Sequence, residues 1–293
     1  YEGITSYYDD LVLVRSSVIS ETDYLKLLGQ TITRVLRGGG RFKQSVADAS
    51  FDAWIKFYRP DENAPNAWVS YYAKGSLIAL ALDLMLRRDS SHHRSLDDVM
   101  QALWQRYGKQ SLGVPPGGVE RIVAELAGGA AAQFLHDAVY GTADLPLENL
   151  LREVGVTHQL RAAESAQDLG GTPAKSERRH GSLRARAEGK TDPKLLHVFD
   201  GGAAQIAGLA AGDQLVALDG LRITNGLDNA LRAYRPGHRL RVHAFRRDEL
   251  LDVEVSLDDA PRDTCFLQTD DAATAEAVAA RAAWLEIPAD ARP

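Results

Sequence analysis

The sequence predicts an α+β fold: an all-helical first part, then a small β-rich module, then a helix near the end. Three observations carry this. Apolar residues in the first half recur at three- and four-residue steps, the period of one helix face. Beyond Gly155 the texture changes to short apolar runs separated by turn residues. The alanine-rich residues 272–285 return to helical texture, with Trp284 as a docking anchor. A length of 293 residues suggests two domains at about 150 residues each. The expected divisions are 1–156 for the helical part, 157–180 for a strand and linker, 181–262 for the β-rich module, and 263–293 for a further strand and helix.

Each element has its own signal. Ile4, Tyr7, Tyr8, Leu11, Val14 and Val18 line one face of the first helix. Ser20, three before Asp23, starts a second helix, which Gly38-Gly39-Gly40 ends. Residues 51–58 form a short aromatic segment stopped by Pro60, and 61–66 a polar loop. Residues 72–87 read as a long buried helix. Ser95 with Asp98 starts the next, which stops at Gly108. Residues 120–126, 130–140 and 146–154 complete the helical set. Residues 157–162 read as a strand, and Gly170-Gly171-Thr172-Pro173 belongs to a linker. Strands are expected at 195–199, 214–218, 239–245 and 250–257, with short helices at 203–207 and 227–234. Gly212-Asp213, Asp219-Gly220, Pro236-Gly237 and Arg247-Asp248-Glu249 are the turns between them.

Composition narrows the class. Apolar residues at 45% and charged residues at 25% exclude a mostly disordered chain. A net charge of −6 gives no reason to expect a nucleic-acid partner. The lone Cys265 excludes an internal disulfide framework and a multi-cysteine metal site. The richest apolar stretch, 77–86, carries Asp83 and is far too short for a membrane span. The first residues lack a basic stretch followed by an apolar one, so no signal peptide is expected and the cytoplasm is the expected compartment. Residue 1 is tyrosine rather than methionine, so the chain is expected to begin inside a longer product.

The opening Tyr1-Glu2-Gly3-Ile4-Thr5-Ser6-Tyr7-Tyr8-Asp9-Asp10 carries chemistry. Carboxylates seven residues apart on a helix lie two turns apart on nearly the same face, so Glu2 and Asp9 can address one site. Glu2 sits in a largely apolar segment, where a buried carboxylate needs a partner or a metal. On spacing alone, it reads equally as a surface acid in a first helical turn.

Glu2-Gly3-Ile4-Thr5-Ser6-Tyr7-Tyr8-Asp9 resembles the second zinc-binding motif of the glycyl aminopeptidase family. These are gluzincin metallopeptidases with a C-terminal PDZ domain, related to the aminopeptidase N group. Residues 44–54 and Phe57-Tyr58-Arg59-Pro60 are similar to the family's next block, followed in order by 69–75 and 95–100. The resemblance covers nearly the whole chain. It implies the all-helical C-terminal part of a gluzincin catalytic domain followed by a PDZ-like domain. It also implies that Glu2 is a zinc ligand and that Asp9 orients a zinc-binding histidine. Tyr72-Ala73-Lys74-Gly75 resembles the Tyr-x-Lys-Gly segment whose tyrosine hydroxyl donates to the oxyanion, so Tyr72 is the implied catalytic residue, with Tyr71 its possible confusant. Lys74 and Gly75 read as packing positions.

The eight histidines, at 92, 93, 136, 158, 180, 197, 238 and 243, include no His-x-x-x-His pair, and no His-Glu dipeptide occurs. A catalytic zinc usually takes three protein ligands plus water. The remaining ligands are therefore expected upstream of residue 1, and the chain alone is expected neither to hold zinc nor to hydrolyse peptides. Its partners would be a peptide substrate and the upstream catalytic half of the same protein. Apolar surface that meets this half would be exposed without it.

Residues 195–257 resemble a bacterial PDZ domain, most clearly over 201–220, and the same region is electrically neutral, with 12 Lys/Arg and 12 Asp/Glu over 180–262. A PDZ ligand adds its C-terminal tail as an extra strand. The loop and strand for this would be His180-Gly181-Ser182-Leu183-Arg184-Ala185, which keeps one glycine where the family pattern has more. Ser182, Leu183, Arg184 and Leu231 are the candidate peptide-binding residues, Leu183 and Leu231 being equally readable as core. The competing reading of the whole chain is a non-catalytic helical scaffold whose PDZ module binds partner C-termini.

Overall fold

The computed structural model describes residues 1–175 and 180–286; linker residues 176–179 and the stretch 287–293 lie outside the described residues. The helical part opens with α1 (Glu2–Arg15) and α2 (Glu21–Leu36), the latter capped by the Ser20 side chain accepting from the Asp23 N–H. There follow α3 (Val46–Phe51), the single turn α4 (Ala64–Ala67) and the long α5 (Tyr71–Asp89). α6 (Leu96–Arg106) starts on a capping box formed by Ser95 and Asp98. α7 (Gly118–Ala127), α8 (Gly129–Tyr140) and α9 (Leu147–Glu153) complete the set. α5 is apolar on nearly all sides and is therefore the central helix, buried from Ser76 to Leu84. Among the described residues no helix is long and apolar enough to cross a membrane.

The aromatic segment departs from its sequence pattern. Ser45 caps α3 a full turn before that segment, so the helix ends at Phe51 and 52–58 run as turns. The polar loop that follows contains the single turn α4.

The second half alternates strands and short helices. In order they are β1 (Val156–Arg161), β2 (Gly181–Ser182), β3 (Ala185–Glu188), β4 (Lys194–Val198), α10 (Ala203–Ile206), β5 (Gln214–Leu218), β6 (Leu221–Arg222), α11 (Leu227–Leu231), β7 (Arg239–Arg246), β8 (Glu249–Ser256), β9 (Asp258–Asp259), β10 (Thr264–Thr269) and α12 (Ala275–Leu285). A six-stranded antiparallel sheet runs β3-β4-β5-β7-β8, with β6 added to β5. Leu195, Leu215, Leu240, Val242 and Ala244 are the centre of its own core. The loop and strand expected over 180–185 hold only the two-residue β2, and the longer strand begins at Ala185, because Ala-Arg-Ala-Glu carries almost no apolar signal to mark it.

This sheet module is inserted into the helical body. β1 before it and β10 after it pair antiparallel, from Val156↔Thr269 to Arg161↔Thr264. β10 lies on α2, where the Thr33 hydroxyl accepts from the Cys265 N–H at 2.8 Å. Burial there pushes the Cys265 thiol up to about 12. The loop after β1 is closed by Arg161 and Asp168, whose oxygen lies 2.6 Å from the guanidinium. Burial opposes ionisation of Asp168, but Arg161 and the Glu164 and Gly170 N–H groups win and hold its carboxyl down to about 2.

α12 then returns to the helical core. Trp284 is fully buried, its indole N–H donating to the Tyr7 hydroxyl at 2.8 Å. Tyr7 donates to Asp83 at 2.7 Å, and Asp83 also accepts from Arg87 at 3.1 Å and from the Leu96 N–H at 2.8 Å. Arg15 donates to the Trp284 carbonyl and Arg87 to that of Ala283. One connected polar network thus ties α1, α5, α6 and α12. Trp284→Ala is expected to cost about 3–5 kcal/mol of stability. Urea unfolding followed by circular dichroism checks this, and an unchanged midpoint would mean α12 is not part of the cooperative core.

Candidate active site

Glycine brings the site together. α1 and α5 cross where Gly3 meets Gly75, and a Cβ on Gly3 would fall 2.5 Å from the Gly75 carbonyl carbon. The contact lies near the start of both helices, and Tyr7 reaches Asp83 further along both, so they run in the same direction. Their starts therefore lie together. Glu2 begins α1, and Tyr71 and Tyr72 begin α5 behind the Ser70 cap. Lys74, next to Gly75, is buried and donates to the Arg41 carbonyl at 3.3 Å, and burial pulls its pKa down.

Glu2 is exposed, and its side chain makes no hydrogen bond or ion pair among the described residues. Its charge nonetheless acts on the hydroxyls of Tyr58 and Tyr72. Tyr58 shares hydrogen bonds with Tyr72 at 3.1 Å and Tyr71 at 3.3 Å. The bond to Tyr58, followed by lesser contributions that include Glu2, raises the Tyr72 pKa. Tyr58 itself is lowered, first by its bond to Tyr71. Tyr71 is raised by burial first, and its ring is mostly covered while Tyr72 is half-buried. Tyr71 and Tyr72 stack at 4.4 Å, and Phe57 packs against both.

Asp9 lies two turns along α1 from Glu2, exposed and with no hydrogen bond or ion pair among the described residues. Burial and the Asp9 charge raise the neighbouring Asp10. Tyr58 is the member of this cluster that sequence reasoning did not single out. Its signal was present in Phe57-Tyr58-Arg59-Pro60, but only folding places its hydroxyl on the tyrosine pair. Close by in sequence, Phe51, Trp54 and Ile55 are 89%, 78% and 71% exposed, and the Trp54 ring lies 5.1 Å from that of Tyr58.

The peptide-binding candidates fall elsewhere, in the sheet module. Ser182 pairs with Asp258, and its hydroxyl accepts from the Arg184 N–H at 3.0 Å. Leu183 is 1% exposed and Leu231 6%, both inside the module core, so neither offers side-chain surface to a ligand. The N–H groups of Gly181 and Arg184 are already taken by the Tyr234 carbonyl and the Ser182 hydroxyl. β3 is an edge strand of the sheet. The loop after β1 lines a cleft together with β3 and α11, Ala166 N–H donating to Asp228 at 2.7 Å and Arg232 to the Glu164 carbonyl at 3.2 Å.

The glycine crossing is directly testable. Gly3→Ala should push α1 off α5 and cost about 1–3 kcal/mol by overpacking. Thermal unfolding measures this, and an undisturbed melting temperature would show that the helices separate without penalty.

Residues 1–78 match the M61 glycyl aminopeptidase family. The crystal structure of an aminopeptidase N family protein from Idiomarina loihiensis is 39% identical and superposes with a TM-score of 0.89 over 97% of this chain and 48% of that one. This chain thus spans about half the length of that relative. A serine endoprotease from Yersinia pestis matches at 21% identity over 28% of this chain and 30% of that one, with a TM-score of 0.26. The HtrA-type protease AlgW with a decapeptide gives 18%, over 28% and 30%, and also 0.26. Scores of that size carry no argument. No curated protein matches. The opening motif lies within the matched residues 1–78, and over nearly its whole length the chain is similar to about half of a 39%-identical aminopeptidase N family protein.

Proposed function

We propose that this chain supplies a zinc ligand, Glu2, and an oxyanion donor, Tyr72, to an aminopeptidase that hydrolyses the first peptide bond, after small residues such as glycine or alanine. The observation that carries it is the Gly3–Gly75 crossing, which sets an unpartnered carboxylate beside the Tyr58–Tyr72 hydroxyl pair. A free carboxylate suits one position of a zinc site. Among the described residues no group of three His, Cys, Asp or Glu could hold a metal; in this reading the histidine ligands come from outside this chain. Once bound, zinc polarises the scissile carbonyl and lowers the pKa of water.

The chain's own residues have separate tasks. Glu2 presents its carboxylate from the first turn of α1. Asp9, on the same helix, orients a ligand histidine. Tyr72 donates its hydroxyl to the carbonyl oxygen as negative charge develops there. A phenol is protonated at neutral pH, the form that donates. Tyr58 fixes the direction of that hydroxyl. The exposed Phe51, Trp54 and Ile55 suit coverage by the upstream half. The preference for a small first residue rests on the family alone.

In the full-length protein, Tyr72→Phe should lower kcat for a glycyl-anilide by about 100- to 1000-fold with KM nearly unchanged. Glu2→Gln should remove stoichiometric zinc by metal analysis. Chelator-insensitive hydrolysis, or zinc held at Glu2 by this chain alone, would overturn the reading.

The sheet module favours a second role as a PDZ-like domain that docks partner C-termini. The observation is the edge strand β3 beside α11, the geometry for strand addition. The Ala166–Asp228 bond holds the loop after β1 at that cleft. Asp228→Ala should therefore tighten binding of peptides with free C-termini over amidated ones, read by fluorescence anisotropy. Absence of binding in both proteins would rule this role out.

A further inference from the structure

We propose that Asn66 is a positioning residue through which the sheet module holds the aromatic loop in place, and with it the Tyr58 hydroxyl against that of Tyr72. Asn66 is 3% exposed and lies on α4, a single turn. Such a turn has almost no stability of its own. Its amide pairs with module backbone as a strand would: Nδ2 donates to the Val198 carbonyl at 2.8 Å, and Oδ1 accepts from the Asp200 N–H at 3.0 Å. The same Nδ2 also donates to Asn63 Oδ1 at 3.0 Å. Every polar atom of this buried amide is thus engaged across the junction. The flanking contacts, Lys43 with Asp200 and His197 with the Glu62 carbonyl, are exposed and screened.

From Asn66 the contact path to the site is short. Trp68, two residues on, caps α4 in extended backbone. Its backbone is wedged against Gly40, where a Cβ would clash. Its ring meets Phe57 at 5.4 Å, and Phe57 meets Tyr58, Tyr71 and Tyr72 at 5.3, 5.3 and 5.6 Å. The segment carrying Phe57 and Tyr58 is a run of hydrogen-bonded turns, and these ring contacts fix how it sits on the start of α5. Removing the amide leaves Val198 and Asp200 unpaired on one side and α4 untethered on the other.

The catalytic consequence rests on Tyr72 being the oxyanion donor, and the test separates the two. Aromatic rings labelled with ¹³C report the ring contacts of Phe57 with Tyr58 and Tyr72 as nuclear Overhauser effects in this chain. Asn66→Ala should weaken these contacts, while Lys43→Ala leaves them in place. Asn66→Asp, which keeps the acceptor for Asp200, should weaken them less, and it serves if Asn66→Ala does not fold. Unchanged contacts in a folded Asn66 variant overturn the proposal. In the full-length protein kcat should fall at least tenfold with KM unchanged. Weakened contacts with unchanged kcat would uphold the positioning and overturn the catalytic reading of Tyr72.

Discussion

The contact of Gly3 with Gly75 is the constraint on which the rest depends. Two helices can approach to backbone contact only where both lack a Cβ, and this crossing lies at the start of each. Being so near the helix ends, it sets the spacing of whatever begins them. One helix begins with a carboxylate and the other with two phenols. A Cβ on either glycine would force the ends apart, and the end residues would move furthest.

The crossing is held further along by charge and hydrogen bonding instead of small size. Asp83 is buried in the centre of α5 and accepts from Tyr7, Arg87 and the Leu96 N–H. A buried carboxylate is tolerable only with partners of this kind. Trp284 completes the set from far along the chain. α12 therefore stabilises α1 from the far side of the sheet module in sequence.

The module itself is attached at two places with different consequences. The β1–β10 pair and the Arg161–Asp168 loop fasten its two chain connections to α2. The junction at Val198–Asp200 fastens the far side to the aromatic loop through Asn66. An insertion held at both ends and at one side cannot turn freely as a bead on a linker does. Residues that read in sequence as a polar linker, such as Glu164 and Asp168, are instead hydrogen-bonded.

Much of this was legible in the sequence by itself. Helix starts at Ser20 and Ser95 follow local capping chemistry, which acts over three residues. The nearly unbroken apolar run 77–86 marked α5 for burial, and the alanine-rich 272–285 gave Trp284 its anchor role. Glu2 and Tyr72 were named from motif residues. What tertiary structure decided is long-range. Nothing local pairs β1 with β10, marks Ala185–Glu188 as an edge strand, brings Tyr58 to Tyr72, or gives Asn66 its partners more than a hundred residues away. Such pairings depend on which surfaces meet when two separate cores form, and a pattern of neighbours along the chain contains no record of that meeting.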